Sequence, residues 1–384
     1  MRFPEFSGEW ENQRLGDTCT FFSGGTPASS RKEYYGGNIP FIRSGELHSD
    51  STALYITEEA YNSCSAKMVN NGDLLLALYG ATSGDISISK INGAINQAIL
   101  CIRPDNLDTY FIKSLWERHK EHILETFLQG GQGNLSSEIV KNICFRFPSV
   151  QEQLKISTLF QILDERISTQ IKIIEELKTL RSALRQILLY KNCETTIPLS
   201  YYAELKNGYA FKSNTHSDTG IYNIVTISNV TGERYINQAG CNKIDSIPFD
   251  IQSHQILHSG DILISMTGNV GRVSMCSDGN FLLNQRVGLL NLRAEYVDHA
   301  EYIFQCLRGI SFTNAMKDKG QGAAQQNIGK GDIEGYEIPW FDDVRYLKSV
   351  ANLLLQFDNA VLVEEEKYAK YTMQKTWLLS KLFI

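Results

Sequence analysis

The sequence predicts two mixed helix-and-sheet globules in tandem, each trailed by one long helix, and three observations carry that prediction. First, residues 71–103 are echoed at 259–293: Gly72-Asp73 aligns with Gly260-Asp261, and Asn96-Gln97 with Asn284-Gln285, both at an offset of 188. Second, Gly131-Gln132-Gly133 is matched by Gly320-Gln321-Gly322, and each copy closes on an apolar stretch ending in proline, Pro148 and Pro339. Third, a pattern free of glycine and proline follows each closing proline, with apolar residues at helical spacing. A period of about half the chain makes the repeating units domains and not the small turns of a solenoid.

In chain order, 38–43 and 222–227 read as extended entry strands. Residues 74–78 and 262–266 read as short buried strands bounded by Gly-Asp and glycine. Residues 86–88 and 272–275 follow, then 99–102 and 288–292. A helix is expected over 108–128 and again over 298–317, with Tyr110, Phe111 and Leu115 matched by Tyr302, Ile303 and Leu307. Each unit is therefore an α/β or α+β globule of roughly 150 residues, within the usual domain size. The predicted boundaries are 1–150, 151–192 for the central helix, 193–341, and 342–384 for the C-terminal helix.

The two long helices carry coiled-coil stripes. The first shows Phe160, Leu163, Ile167, Ile174, Leu177 and Leu184; the second shows Leu354, Phe357, Val361, Tyr368, Tyr371 and Leu378. Residues 160–164 are echoed by 354–358, at an offset of 194, so the helix belongs to the repeat. A 40-residue helix is about 60 Å long. Two such helices bury their stripes most simply against each other, the alternative being that each packs on its own globule.

Hydrophobic content of 42% and charged content of 21% mark a globular chain. No uncharged apolar run reaches membrane-spanning length and no signal-peptide core opens the sequence, so a soluble, cytoplasmic protein with no membrane association is expected. The eight cysteines are scattered, without a Cys-x-x-Cys pair or metal spacing, which fits a reducing compartment and no metal site. The net charge is −6; residues 1–150 hold 13 basic against 17 acidic residues and 192–341 hold 11 against 15, while 151–191 hold 7 against 5. Binding to phosphates by whole-domain charge is thereby disfavoured, and nucleic-acid binding would need local clusters or a basic partner.

No P-loop, nucleophile elbow, zinc-protease helix or aminomethyltransferase motif occurs. The glycine-rich segments 80–84 and 268–271 read as tight turns at strand ends and not as phosphate loops. The repeat instead concentrates amides and hydroxyls at glycine turns. Copy one has Tyr79, Thr82, Ser83, Asn96, Gln97, Gln129, Gln132 and Asn134; copy two has Thr267, Asn269, Asn284, Gln285, Arg286, Gln321, Gln325, Gln326 and Asn327. Asn and Gln can pair with adenine edges and Arg with guanine. Residues shared by both copies are expected to be scaffold, Asn96-Gln97 and Asn284-Gln285 satisfying loop backbone. Residues that differ are expected to read: Thr82 and Ser83 against Asn269 and Arg272, and Arg43 and Ser44 against Ser228 and Asn229.

Taken in order, these motifs resemble the specificity subunit of a type I restriction-modification system. The residues that carry the resemblance are the paired Gly-Asp strands, the Asn-Gln pairs, the Gly-Gln-Gly stretches closing on proline and the heptad helices. The opening Trp10, Arg14-Leu15-Gly16-Asp17 and Gly24-Gly25-Thr26-Pro27, and Gln151-Glu152-Gln153 ahead of the first helix, are similar as well. The second copy departs where Leu205-Lys206-Asn207-Gly208-Tyr209-Ala210-Phe211 replaces the Gly-Gly-Thr-Pro turn. The resemblance covers essentially the whole chain.

It implies an α+β fold of two target-recognition domains whose helices pair as an antiparallel coiled coil. Each domain would read one half of a split site in double-stranded DNA through the major groove. The chain itself would be non-catalytic and hold no cofactor. Two methyltransferase subunits and restriction subunits would dock on it, and those partners would bind S-adenosylmethionine, ATP and Mg. The competing reading is a two-domain peptide- or glycan-binding protein with a coiled-coil dimerisation element.

Overall fold

The computed structural model describes residues 1–128, 134–191, 193–320 and 326–383. It divides into two compact units, Met1–Ile171 with Glu366–Ile384, and Lys172–Glu365. No helix among the described residues is long and apolar enough to cross a membrane.

Among its described residues unit 1 contains ten strands: β1 (Glu11–Arg14), β2 (Cys19–Ser23), β3 (Tyr35–Ile42), β4 (Tyr55–Ile56), β5 (Lys67–Val69), β6 (Leu74–Ala77), β7 (Ile86–Ile88), β8 (Gly93–Ile95), β9 (Ile99–Pro104) and β10 (Cys144–Phe147). Its helices are α1 (Leu15–Thr18), α2 (Glu58–Asn62), α3 (Thr109–Leu128), α4 (Ser137–Asn142) and the first part of α5 (Val150–Arg185). One four-stranded sheet runs β2-β9-β6-β7, a second runs β4-β3-β8-β5, and β1 pairs with β10. Among the described residues of this unit only the β3–β8 pairing is parallel. The buried run Leu74-Leu75-Leu76-Ala77 explains the geometry, because β6 has neighbours on both edges and its alternate side chains feed two cores. Leu74 and Leu76 join Phe111, Trp116 and Phe160; Leu75 and Ala77 join Ile42, Ile95 and Cys101.

Unit 2 repeats this plan with β11 (Thr195–Pro198), β12 (Ala203–Asn207), β13 (Tyr222–Val225), β14 (Asn242–Ile244), β15 (Ile256–Leu257), β16 (Ile262–Ser265), β17 (Val273–Met275), β18 (Phe281–Leu283), β19 (Val287–Leu292) and β20 (Glu337–Trp340). The sheet orders are β12-β19-β16-β17, β14-β13-β18-β15 and β11-β20, each the counterpart of one in unit 1. The register repeats too: Ser23 stands opposite Leu100 and Asn207 opposite Gly288. Two elements depart from expectation. The helix expected over 298–317 is broken into α6 (Ala300–Leu307) and α7 (Ile310–Lys319), because Gly309, with φ −68° and ψ 148°, is extended between them. The central helix also does not stay regular to 192: it ends at Arg185 and widens into a π-helical turn over Gln186–Lys191. α8 (Lys330–Glu334) and α9 (Val344–Leu382) complete the chain.

The long helices α5 and α9 pack antiparallel within each unit. In unit 1, the Arg166 guanidinium lies over the Tyr371 ring while Phe160 stacks on Phe383. In unit 2, Arg181 pairs with Asp358 and Lys178 with Glu365. Phe160, Leu163, Leu378, Leu354 and Val361 are buried. Ile167, Tyr371, Ile174, Leu177, Leu184 and Phe357 are half-buried. Tyr368 departs from the pairing stripe and stays 36% exposed; a tyrosine can keep its hydroxyl in water. The stripe also holds polar residues that a search for apolar spacing passes over, among them Lys375 between Tyr371 and Leu378.

One glycine match emerges only in three dimensions. A Cβ on Gly24 would lie 1.7 Å from the carbonyl oxygen of Ile95, and one on Gly208 would lie 2.2 Å from that of Asn284. Both glycines follow the first strand of corresponding sheets, so Gly208 is the counterpart of Gly24 although the sequence around it differs. Gly208→Ala is expected to destabilise unit 2 by about 2 kcal/mol through forced backbone movement. Gly331→Ala, where nothing lies within 4 Å, is expected to be neutral or slightly stabilising within α8. Denaturant midpoints of the two variants check this.

Candidate functional site

Four segments of unit 1 come together at the ends of its sheets. The turn after β6 is closed by bonds from Gly84 N–H to the Ala77 carbonyl (2.8 Å) and from Ser83 N–H to the Gly80 carbonyl (3.1 Å). Gly80 and Gly84 have φ of +86° and +79°, values that favour glycine. The segment after β8 joins it, because Leu78 N–H donates to the Ala98 carbonyl at 2.8 Å. Leu135 N–H donates to the Leu78 carbonyl from the other side, bringing Asn134 in, and Asn96 N–H reaches the Ile42 carbonyl, bringing Arg43 and Ser44 in.

On this frame Thr82 and Ser83 are half-buried and Asn134 is exposed. The Ser83 hydroxyl donates to the Leu78 carbonyl at 3.1 Å, so it helps shape the turn. Tyr79 bonds Gln97; partial burial raises its pKa, a shift that the Gln97 bond opposes. Thr26 donates to the same Gln97 side chain. Arg43 is exposed but forked onto Glu46, with both bonds at 3.1 Å. That pairing, with Ala53 N–H and Thr52 also bonding the carboxylate, outweighs partial burial and lowers the Glu46 pKa to about 2.

Unit 2 builds the equivalent surface with different side chains. Gly268 N–H donates to the Gln326 carbonyl (3.0 Å) and Ile328 N–H to the Met266 carbonyl (3.0 Å), setting Thr267 opposite Asn327. Met266 N–H donates to the Arg286 carbonyl, and Asn284 N–H to that of Val225. Thr267, Gln326 and Arg286 are thus brought together, with Ser228 on the segment after β13. Asn269, Arg272, Arg286 and Ser228 are exposed. Neither Arg272 nor Arg286 forms an ion pair among the described residues, unlike Arg43.

Asn229 is a correction. It is 2% exposed, its amide oxygen accepting from Thr226 N–H and its amide nitrogen donating to the Asn237 carbonyl, both at 2.8 Å. With its bonding capacity used to close a loop, it is not free to read a ligand. Asn96 and Asn284 act as the expected scaffold, accepting from Ala98 N–H (3.1 Å) and Arg286 N–H (3.4 Å), whereas Gln97 and Gln285 are exposed. Gln129, Gln132, Gln321 and Gln325 lie outside the described residues. Thr26, which bonds Gln97, and Tyr209, whose N–H bonds the Leu283 carbonyl, also stand beside these loops; the glycine match at offset 184 that relates their turns is obscured because the neighbouring motifs repeat at 188.

These loops present the exposed polar side chains of Asn134, Ser228, Asn269, Arg272 and Arg286. Among the described residues no group of three His, Cys, Asp or Glu could hold a metal. A cleft of about 600 Å³ on unit 1 is lined by Glu9, Glu11, Asp17, Asp105 and Glu152 against Arg2, a sign that repels phosphates.

Comparison with known proteins agrees with this organisation. Residues 7–179 and 197–369 each match the family described as Type I restriction modification DNA specificity domain. The chain is 28% identical over 176 residues to the type I restriction enzyme MjaIX specificity subunit of Methanocaldococcus jannaschii, covering 43% of this chain and 40% of that one. It is 26% identical over 175 residues to the EcoR124I/EcoR124II specificity subunit of Escherichia coli, covering 43% and 42%. The chain thus spans about two fifths of the length of these curated relatives. Its fold is similar to that of the type I restriction-modification S subunit from M. genitalium, with a TM-score of 0.65, 14% identity and coverage of 98% and 96%. A second solved structure, from work on complex assembly of the type I restriction-modification system, gives a TM-score of 0.55 at 13% identity, covering 99% and 98%. With its sequence matched twice over most of its length, the chain belongs to the type I restriction-modification DNA specificity family and carries that family's domain in two copies.

Proposed function

We propose that this chain is the sequence-reading subunit of a type I restriction-modification complex, each unit recognising one half of a bipartite DNA site. The observation that carries this reading is one loop framework built twice with different side chains. Tyr79, Thr82 and a tethered Arg43 stand on one copy, against Thr267, Asn269 and two unpaired arginines on the other. Direct readout needs such a division: a fixed backbone sets the reach into the major groove, and exchangeable side chains select bases. Arg272 and Arg286 suit guanine edges, and Gln326 an adenine.

The chain is non-catalytic in this reading and holds no cofactor of its own. Two methyltransferase subunits dock on the long helices and adjoining domain surfaces, followed by restriction subunits. S-adenosylmethionine, ATP and Mg are bound by those partners. The acidic balance of both large segments is offset by the partners, which supply much of the phosphate clamp.

The test is exchange of residues 1–150 for the equivalent segment of a relative, co-expression with the cognate methyltransferase, and mapping of methylated adenines. One half-site is expected to change and the other to persist. Change in both halves, or in neither, sinks the division of labour.

A further inference from the structure

Phe249 is 102% exposed, the most exposed large apolar side chain among the described residues, yet it is not on a loose strand end. Ile247 and Ile251 on either side pack against the core of Ile224, Ile244 and Leu282. Ile251 N–H closes a turn on the Pro248 carbonyl at 3.2 Å, and Asp250 accepts from the Tyr209 hydroxyl at 2.8 Å. The ring is therefore held at the tip of an anchored turn.

The first copy shows what this arrangement replaces. At the offset of 188, Phe249 corresponds to Tyr61, which lies in α2 and packs against the core of Tyr34, Phe41 and Ile56. Two substitutions account for the difference. The cap of α2 is the bond from Ala60 N–H to the Thr57 hydroxyl (3.1 Å); Pro248 stands at the position of Ala60 and has no N–H to donate. In addition, the residue after the shared glycine is Gly25 in copy one, where a Cβ would lie 2.2 Å from the Ser65 hydroxyl oxygen. In copy two it is Tyr209, whose ring stands edge-on to Phe211 at 4.9 Å and whose hydroxyl bonds Asp250. The segment that folds inward in copy one is propped outward in copy two.

Tyr209 also links the turn to the reading surface. Its N–H donates to the Leu283 carbonyl (2.8 Å) and its carbonyl accepts from Gln285 N–H (2.9 Å), next to Asn284 and Arg286. We propose that Phe249 is an apolar base contact of unit 2, an aromatic ring set against a base of the half-site that unit 2 reads. This rests on the DNA-reading function proposed above. The contact is either with a thymine methyl or with an exposed base face, two forms of the same apolar chemistry.

The test uses the full chain assembled with its methyltransferase and a duplex bearing the site that the wild-type complex methylates. Phe249→Ala is expected to weaken binding about tenfold and to relax discrimination in one half-site only, with assembly unchanged. Tyr209→Gly, which leaves the ring in place but removes its prop, is expected to have the same effect. Weakening when uracil replaces thymine assigns the contact to the methyl; enhanced fluorescence of a 2-aminopurine at the position assigns it to an unstacked base. Unaltered binding by Phe249→Ala overturns the proposal, as does loss of methyltransferase assembly, which makes the ring a protein contact. A wild-type complex without any sequence preference overturns the underlying reading instead.

Discussion

Replacing Asp358 with alanine is expected to destabilise unit 2 by about 3–5 kcal/mol, as loss of one partner from a buried ionic cluster does. Asp358 is 1% exposed and accepts from Arg308 at 2.8 Å, Arg234 at 3.1 Å, Gln305 at 2.7 Å and from Arg181 on α5. Of the remaining carboxylates, Glu301 bonds Arg234 and Gln305, while among the described residues Arg181 and Arg308 form ion pairs with Asp358 alone. Without Asp358 the buried guanidiniums face one another. Arg185 nearby shows the strain already: burial and its arginine neighbours lower its pKa to about 10. A loss of this size is a large fraction of ordinary domain stability. Hydrogen exchange resolves it by unit, protection falling within 172–365 and persisting within 1–171. Equal loss in both units contradicts the assignment.

The counterpart in unit 1 is better compensated, so Asp164→Ala is expected to cost less. Asp164 bonds Lys113 and Lys375, each at 2.7 Å, and Tyr110 at 2.5 Å, but Glu117 also holds Lys113 at 2.9 Å and Lys375 at 2.8 Å. The pH dependence has a definite sign. Burial opposes ionisation of Asp164 and Asp358, but the surrounding cations and hydrogen bonds win and lower both pKa values below the usual carboxylate range. A depressed folded-state pKa means stability present above the unfolded value, near 3.9, and lost as pH falls through the folded value. The advantage of wild type over Asp358→Asn should therefore hold at neutral pH and fade below about pH 4.

These two clusters also mark how much could be read in advance. The offset of 194 that aligns 160–164 with 354–358 already paired Asp164 with Asp358. It equally pairs Arg181 with Lys375, yet each cation sits on the opposite helix from its carboxylate, so the relation is invisible along one helix. Periodicity found the stripe because apolar side chains repeat with the turn of the helix, and it skipped Lys375 because a lysine is not expected at a buried seam. The buried strands β6 and β16 were legible for a different reason, as short apolar runs bounded by Gly-Asp and glycine. The short pairs β1–β10 and β11–β20 were not, since four alternating residues at an edge carry little pattern. At the loops, glycine spacing located the turns that the two units share, but only hydrogen-bond geometry distinguished exposed Asn269 from Asn229, whose amide is consumed internally.

On the function proposed above, lengthening both helices together is expected to move the two half-sites apart without altering either. Seven residues inserted after Ile171 in α5, and seven after Glu365 in α9, fall where the two compact units divide, so the packing inside each remains intact. Seven residues make nearly two full turns, about 20° short, which keeps the apolar stripe facing its partner. They add about 10 Å of helix, equivalent to about three base pairs at 3.4 Å each. Methylated-adenine mapping should then return the original half-sites with a spacer longer by about three base pairs. The physical requirement is that both helices grow: an insertion in α5 alone slides its stripe against an unlengthened α9 and sets one of the two ionic clusters out of register. The single insertion should therefore lower stability and site occupancy, where the paired insertion preserves both. An unchanged spacer in the paired variant would show that the helices do not set half-site separation.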